Sequence, residues 1–355
     1  MQYRFTARKK DNGWQLLLRY KDSSGKWKQK TRQGYSKKSD ALAEEEKDKL
    51  LNTVINVAQE SEYPDLTLKE LYAVFKQNKK QELTYNTLKN YELTLTRLSS
   101  IADRKVTEIT TQDLIQAVNS MSGLAPSSVN LFISKIKVLF KYAKNICGLI
   151  KIDPAEKVEY IKARKKKAII ALTQDELTSL LKGMENEPMD IYTMCAVAGY
   201  AGLRFGEIAG LTAADIDLKG KILHINKQYG VISKGIYAFK PVKSNNGFRD
   251  IPIPPTLVKI LSDYLQNRVY RLDDGRIFKI RDPSYINFKI KKYNKACSMH
   301  KLRHTYATLL LGHGVDVKTV AALLGDNVDT VIRTYIHYTD DMRKQAAEKV
   351  TNIFG

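Results

Sequence analysis

The chain has 355 residues, 43% hydrophobic and 27% charged, with 59 Lys and Arg against 38 Asp and Glu, a net charge of +21 and a pI near 9.6. The length calls for two or three domains and the composition for well-buried cores, while the charge calls for a polyanion, nucleic acid before an anionic membrane surface. No run reaches the roughly 18–20 apolar residues a bilayer crossing needs, which excludes a membrane-spanning helix. The opening "MQYRFTARKK" has no apolar stretch of signal-peptide length, and Cys147, Cys195 and Cys297 are odd in number and far apart. The expectation is a cytoplasmic protein with reduced thiols, holding neither a disulfide framework nor a metal knuckle.

"WQLLLRY" (14–20) and "KWKQKTR" (26–32) are strand-like and flank the turn signal "KDSSGK". Lys26, Lys28, Lys30 and Arg32 alternate in the second, so they share one face. Residues 1–38 hold twelve Lys or Arg against two acids, Asp11 and Asp22, an excess that favours a DNA-facing sheet over a merely solvated one. "SKKSDALAEEEKDKLLNTVINV" predicts a helix capped by Ser39. The polar "AQESEYPDL" (58–66) marks a first boundary, and Thr67 and Glu70 form a capping box before Leu68, Leu71, Tyr72 and Phe75. Further on, Val129, Phe132, Ile133, Ile136, Leu139, Phe140 and Ala143 recur at helical spacing and predict a core stripe in an all-helical middle region. Lys135, Lys137, Lys141 and Lys144 on the same helix either touch phosphates or keep it soluble.

"EYIKARKKKAI" (159–169) marks a second boundary. Its basic residues Lys162, Arg164, Lys165, Lys166 and Lys167 form either a solvated linker or a segment lying along a DNA backbone. The third region opens on another capping box, Thr173 and Glu176. Helices follow, then a strand at "KILHIN", a hairpin in "AFKPVKSNNGFRDIPIP" turned by "NNG", and more helices.

There is no GxxxxGK[ST], HExxH or paired CxxC, so nucleotide hydrolysis and zinc chemistry have no local support. Scattered carboxylates leave a two-metal nuclease open. Four stretches carry other chemistry. "GYAGLRFGEIAGL" sets Glu207 one helical turn after Arg204. Lys243 precedes the turn of "VKSNNGFRDIPI". "HKLRHTYATLLL" puts His300 and Arg303 on one helix face, where they can grip one anion. "RTYIHYTDD" carries Tyr335, His337 and Tyr338.

Arg, Lys, His-x-x-Arg and Tyr in that order resemble the tyrosine recombinase family, the phage and conjugative-transposon integrases. "TYATLLLGHGVDVKTVAALLG" (305–325) is similar to that family's stretch between its second arginine and its nucleophile. The resemblance covers the whole third region. It implies a multidomain, mainly α protein with small β-sheets. An arm-type DNA-binding domain (1–58) would hold a three-stranded sheet plus helix, followed by a helical core-binding domain (63–160) and a mixed α+β catalytic domain (168–355). It further implies double-stranded DNA with core-type and arm-type sites, a homotetramer on that DNA, accessory DNA-bending proteins, a bacterial cell interior and no cofactor. Arg204, Lys243, His300, Arg303 and Tyr335 become the catalytic set. Glu207 and His337 stand behind them, and Lys26, Lys28, Lys30, Arg32, Arg164, Lys165 and Lys166 are DNA-binding candidates.

The chemistry of these residue types agrees. A phenol, pKa near 10, can attack phosphorus and keep the bond energy as a phosphotyrosine. Two guanidiniums hold non-bridging oxygens with forked donors and never lose their charge. Lys243 can give a proton to the departing 5′-hydroxyl, and His300 can accept the phenol proton or bond the phosphate. Asp326 departs from the family, which usually has a histidine or tryptophan nine residues before the nucleophile. A carboxylate only accepts hydrogen bonds and repels phosphate, so this sixth position is expected to cap the helix beginning near Asn327. Two alternatives stay open, a type IB topoisomerase and a catalytically weak or inactive DNA-binding protein on the same scaffold.

Overall fold

The computed structural model describes residues 2–10, 13–21, 26–58, 63, 65–162, 171–242 and 245–334. Two compact units divide the chain, Met1–Arg164 and Lys165–Gly355.

The first unit begins with an antiparallel sheet, β1 (Tyr3–Lys10), β2 (Gly13–Lys21) and β3 (Trp27–Tyr35), in the order β1-β2-β3. Leu16 and Leu18 alternate on β2 and are fully buried with Ala41 and Leu50, which come from α1 (Lys38–Ala41) and α2 (Glu44–Ala58). The single helix expected here is two. Ser39 does not cap it; the N-cap is Lys37, without a side-chain bond, and Ser39 Oγ donates to Asp40 Oδ1 at 3.1 Å. Leu42 leaves helical geometry and the Ala43 carbonyl starts α2 afresh, a break that brings both Ala41 and Leu50 onto the sheet.

The basic strand β3 stays exposed from Trp27 to Gly34. Lys28 pairs with Tyr20, Lys30 with Leu18 and Arg32 with Leu16. Paired residues project to the same side, so these cations share a face, the one on which α1 and α2 bury Leu16 and Leu18, and at the sheet edge they themselves stay exposed. Arg32 accordingly pairs with Glu46 of α2 at 3.3 Å. The open face instead carries Arg4, Arg8, Arg19, Gln29 and Thr31, with Leu17 between them. Period two puts the cations together; the apolar residues of the neighbouring strand decide which side they take.

After the sheet and its two helices come α3 (Leu68–Lys79), α4 (Tyr85–Arg97), α5 (Ser99–Ala102), α6 (Thr111–Asn119) and α7 (Pro126–Asn145). The Thr67–Glu70 capping box forms, with Thr67 N donating to Glu70 Oε2 at 2.8 Å. All seven residues of the expected α7 stripe are buried, against Leu68, Leu71 and Phe75 among others.

The second unit opens on α8 (Gln174–Gly183), capped by the Thr173–Glu176 box, then α9 (Met189–Ala201) and the short α10 (Phe205–Ala209). Strands β4 (Ile216–Asp217), β5 (Ile222–Ile225), β6 (Lys227–Ser233), β7 (Ile236–Pro241) and β8 (Arg249–Pro252) form two small sheets, β4-β5-β8 and β6-β7. The hairpin expected around "NNG" is therefore absent. β7 pairs with β6, β8 crosses to β5, and Asn245–Gly247 is a 3₁₀ turn between the sheets. The cause is burial: Ile251 of β8 faces Leu223 of β5, and both are fully enclosed in the core. The helices α11 (Pro255–Asn267), α12 (Pro283–Tyr293), α13 (Met299–Gly312) and α14 (Val317–Leu324) follow. Central α9 is buried on nearly all sides and packs on α11 and α13, which holds the segment after its C-terminus in place. Among the described residues no helix is long and apolar enough to cross a membrane.

Candidate active site

Gly202 ends α9 at φ +66°, where a Cβ would come within 2.3 Å of the Tyr306 ring. The chain turns there and delivers Arg204 to the N-cap of α10. The backbone N–H of Arg204 donates to Glu207 Oε2 at 2.9 Å and its Nη1 to Glu207 Oε1 at 2.8 Å. From α13, the almost fully buried Arg303 donates through Nη1 to the Gly202 carbonyl at 2.7 Å and through Nη2 to the Leu324 carbonyl at 2.9 Å. Arg204 also reaches the Leu324 and Gly325 carbonyls, at 3.4 and 3.3 Å. The last carbonyls of a helix lack intrahelical partners and carry its negative end, so the end of α14 is a natural seat for guanidiniums.

A third arginine shares that seat and went unnoticed in the sequence. Arg249 of β8 donates from Nε to the Leu323 carbonyl at 2.7 Å and from Nη2 to Glu207 Oε2 at 2.8 Å, with both side chains only 5% exposed. Nothing in "GFRDIPIP" marks it, because its partners lie 42 and 74 residues away. Burial works to raise the Glu207 pKa, but the hydrogen bond and charge of Arg249, then those of Arg204, outweigh it and hold the carboxyl below its usual value. Glu207 is thus an ionised anchor that spaces the arginines.

Asp326 does not cap the following helix. Asn327 does, accepting from Thr330 N–H at 2.7 Å. The Asp326 carboxylate instead bridges the two arginines, one oxygen on Arg204 Nη2 and the other on Arg303 Nη2 at 2.6 Å. Gly325, at φ +65°, makes the turn before it; a Cβ there would lie 2.8 Å from Arg249 Nη1 and 2.9 Å from the Asn246 carbonyl. His300 sits one turn before Arg303 on α13, its ring edge-to-face with His304 at 4.3 Å between centroids. Partial desolvation, then the charges of Arg303 and Arg204, lower its pKa, which favours the neutral imidazole a proton acceptor needs. Lys243, Tyr335, His337, Arg164, Lys165 and Lys166 lie outside the described residues. Among the described residues, no three His, Cys, Asp or Glu side chains cluster so as to hold a metal ion.

Residues 171–342 match the family model described as the phage integrase family. Residues 4–49 match an arm DNA-binding domain, and 67–122 the N-terminal SAM-like domain of phage integrases. The chain belongs to the phage integrase family. It is an enzyme of the tyrosine recombinase class, acting in site-specific recombination. A tyrosine recombinase of Thermosipho africanus is 27% identical over 75% of this chain and 93% of its own. An XerC-like tyrosine recombinase of Caldanaerobacter subterraneus subsp. tengcongensis is 26% identical over 94% of each. The fold is shared with the Tn1549 transposon integrase, solved with transposon right-end DNA, at TM-score 0.67 and 19% identity over 81% of this chain and all of that one. It is shared too with a lambda integrase dimer bound to a core site, at TM-score 0.56 and 18% identity over 93% of each.

The integrase-family site carries a stability cost in acid. Burial first, then the charge of His300, lowers the His304 pKa from 6.5 to about 4. Between those values the unfolded chain binds a proton that the folded one refuses, so stability falls as pH drops from about 6.5 toward 4. His304→Gln should flatten that fall in urea titrations at pH 7 and pH 5; an unchanged pH slope would show that other groups cause it.

Proposed function

We propose that this chain cuts and rejoins DNA strands through a covalent 3′-phosphotyrosine at Tyr335 and a Holliday junction, integrating or excising a mobile element. The observation that carries the reading is the convergence of Arg204 and Arg303, from α10 and α13, on one anion: both guanidiniums bond the same carboxylate. Two forked donors around one anionic centre suit the non-bridging oxygens of a phosphodiester and the charge that develops in its pentacoordinate transition state. In the proposed reaction the Tyr335 oxygen bonds to phosphorus as the bond to the 5′-oxygen breaks. Lys243 gives that oxygen its proton, and His300 takes the proton of the phenol. Attack by a second 5′-hydroxyl reverses the step on another strand, so no external energy source is needed. His337 is proposed as a further donor near the phosphate. The DNA-bound unit is proposed to be a homotetramer, the lambda integrase having been solved as a tetramer on a Holliday junction, with accessory bending proteins assisting.

The test is a duplex with a nick beside the cleavage position, so that the cut fragment diffuses away and the intermediate accumulates. The expected result is a covalent protein–DNA adduct whose digest maps to the peptide containing Tyr335. No adduct on the element's own core site would overturn the reading in favour of a non-catalytic DNA-binding protein. Steady relaxation of supercoils without strand exchange would favour a type IB topoisomerase.

The domain roles are proposed as 1–58 for arm sites, 63–160 for core sites and 168–355 for catalysis, with Arg164, Lys165 and Lys166 along the DNA backbone. Within 1–58 the open sheet face is the better candidate for base contacts. Arg19, Gln29 and Thr31 combine a donor fork, an amide and a methyl, the groups that distinguish guanine, adenine and thymine in a major groove. The covered-side cations Lys28, Lys30 and Arg32, with Lys26, suit phosphates at the sheet edge. Removing residues 1–58 should abolish arm-site binding and spare core-site cleavage. Arg19→Ala should weaken arm-site binding with a loss of base preference, whereas Lys30→Ala should weaken it for every sequence alike. Equal arm-site affinity with and without residues 1–58 would refute the assignment.

A further inference from the structure

We infer that Asp326 is a carboxylate latch, occupying in the DNA-free protein the seat that the scissile phosphate must take. The inference rests on Arg204 and Arg303 being the phosphate-binding pair. Each arginine turns Nη2 to a different oxygen of the one carboxylate, so Asp326 bridges them as two oxygens of a phosphodiester would. Their other Nη contacts go to protein: Arg204 to Glu207 and the Gly325 carbonyl, Arg303 to the carbonyls of Gly202 and Leu324. A phosphate arriving between the guanidiniums therefore displaces the carboxylate, because the two anions repel and compete for the same N–H groups.

The surroundings are built for such an exchange. Asp326 lies in the short link between Gly325, left-handed at φ +65°, and Asn327, which caps the next helical segment. Its backbone N–H is held by the Ala321 carbonyl at 3.0 Å, so the side chain can turn while the main chain stays. A cavity of about 530 Å³ adjoins Asp326, lined in part by Asn246, Phe248, Lys318 and Val328. It gives the displaced carboxylate room, with an ammonium on its wall. The same contact serves the resting protein. Burial first, then the charge of Arg204, disfavours the Arg303 cation, and the charges of Glu207 and Asp326 work the other way, so Asp326 offsets part of that cost until DNA arrives.

The consequence is a trade between resting stability and anion affinity, which a cap or a spacer would not produce. A latch closed nine times in ten lowers the apparent affinity for the anion about tenfold. The experiment compares the melting of wild type, Asp326→Asn and the double variant Asp326→Asn with Arg204→Gln, with and without inorganic phosphate. Asp326→Asn should melt below wild type without phosphate yet gain clearly more from it, and the double variant should lose that extra gain. An equal phosphate gain in wild type and Asp326→Asn would overturn the latch, the phosphate then acting elsewhere on a basic protein. Should Asp326→Asn not fold, Asp326→His is read in the same way, and a gain no larger than wild type overturns the idea as before. Adduct formation on the nicked substrate separates the two proposals. A tenfold faster adduct in Asp326→Asn at limiting DNA supports both. A larger phosphate gain with no adduct from either protein keeps the latch and removes strand transfer. An adduct that forms at the wild-type rate or slower, with equal phosphate gains, removes the latch alone.

Discussion

Tyr335→Phe is expected to form no covalent adduct with a nicked core-site duplex, while Tyr338→Phe should form it at close to the wild-type rate. The substitution removes one oxygen and keeps the ring, so any packing the side chain provides is retained. If Tyr335 is the nucleophile proposed, its loss from a cooperating set costs on the order of 10⁴-fold or more, which in a gel assay is complete loss. Core-site binding should survive, because the proposed phosphate grip of Arg204 and Arg303 and the surrounding charge are untouched. The two tyrosines are distinguished by spacing: Tyr335 stands nine residues after Asp326 and two before His337, the context the family resemblance ties to the nucleophile. An adduct from Tyr335→Phe, or its disappearance in Tyr338→Phe, would reassign the chemistry to Tyr338.

Arg249→Ala is expected to lower both stability and cleavage. It leaves the Leu323 carbonyl without its donor and Glu207, 5% exposed, without its principal counter-ion. Removing one partner of a buried ion pair costs about 3–5 kcal/mol, whereas replacing both with uncharged groups is far cheaper. Glu207→Gln combined with Arg249→Met should therefore melt above Arg249→Ala alone. It should not recover cleavage, because Glu207 also fixes Arg204 at 2.8 Å, and a displaced phosphate grip costs on the order of 100-fold. If Arg249→Ala melts with the wild type, the arginine is not the anchor described here.

Much of the local architecture is legible in the sequence alone. The capping boxes at Thr67 and Thr173 formed, and the α7 stripe is buried at every named position. These features are decided within one or two helical turns, where hydrogen-bonding side chains and period 3.6 act on neighbours a few residues away. Three other expectations failed where local preference met tertiary packing. "NNG" favours a hairpin turn, but Ile251 gains more by pairing with Leu223 in the core than β8 would by pairing with β7. Ser39 is a sound cap by type, but the helix breaks at Leu42, and both pieces reach the sheet. Asp326 is a sound cap by type as well, but two guanidiniums attract its carboxylate more strongly than a backbone N–H, and Asn327 takes the cap.

The amino-acid sequence by itself determined the identity and order of the proposed catalytic set, the basic partner surface and the helices that carry them. Those depend on residue type and short-range periodicity. Only the tertiary structure decided which face of the N-terminal sheet lies open, that Arg249 and Glu207 hold the arginines apart, and that Asp326 lies between Arg204 and Arg303. Each of those is a pairing across tens to more than a hundred residues of chain or across a strand register. It is settled by which apolar side chains are buried first and which charges are then brought within reach of one another.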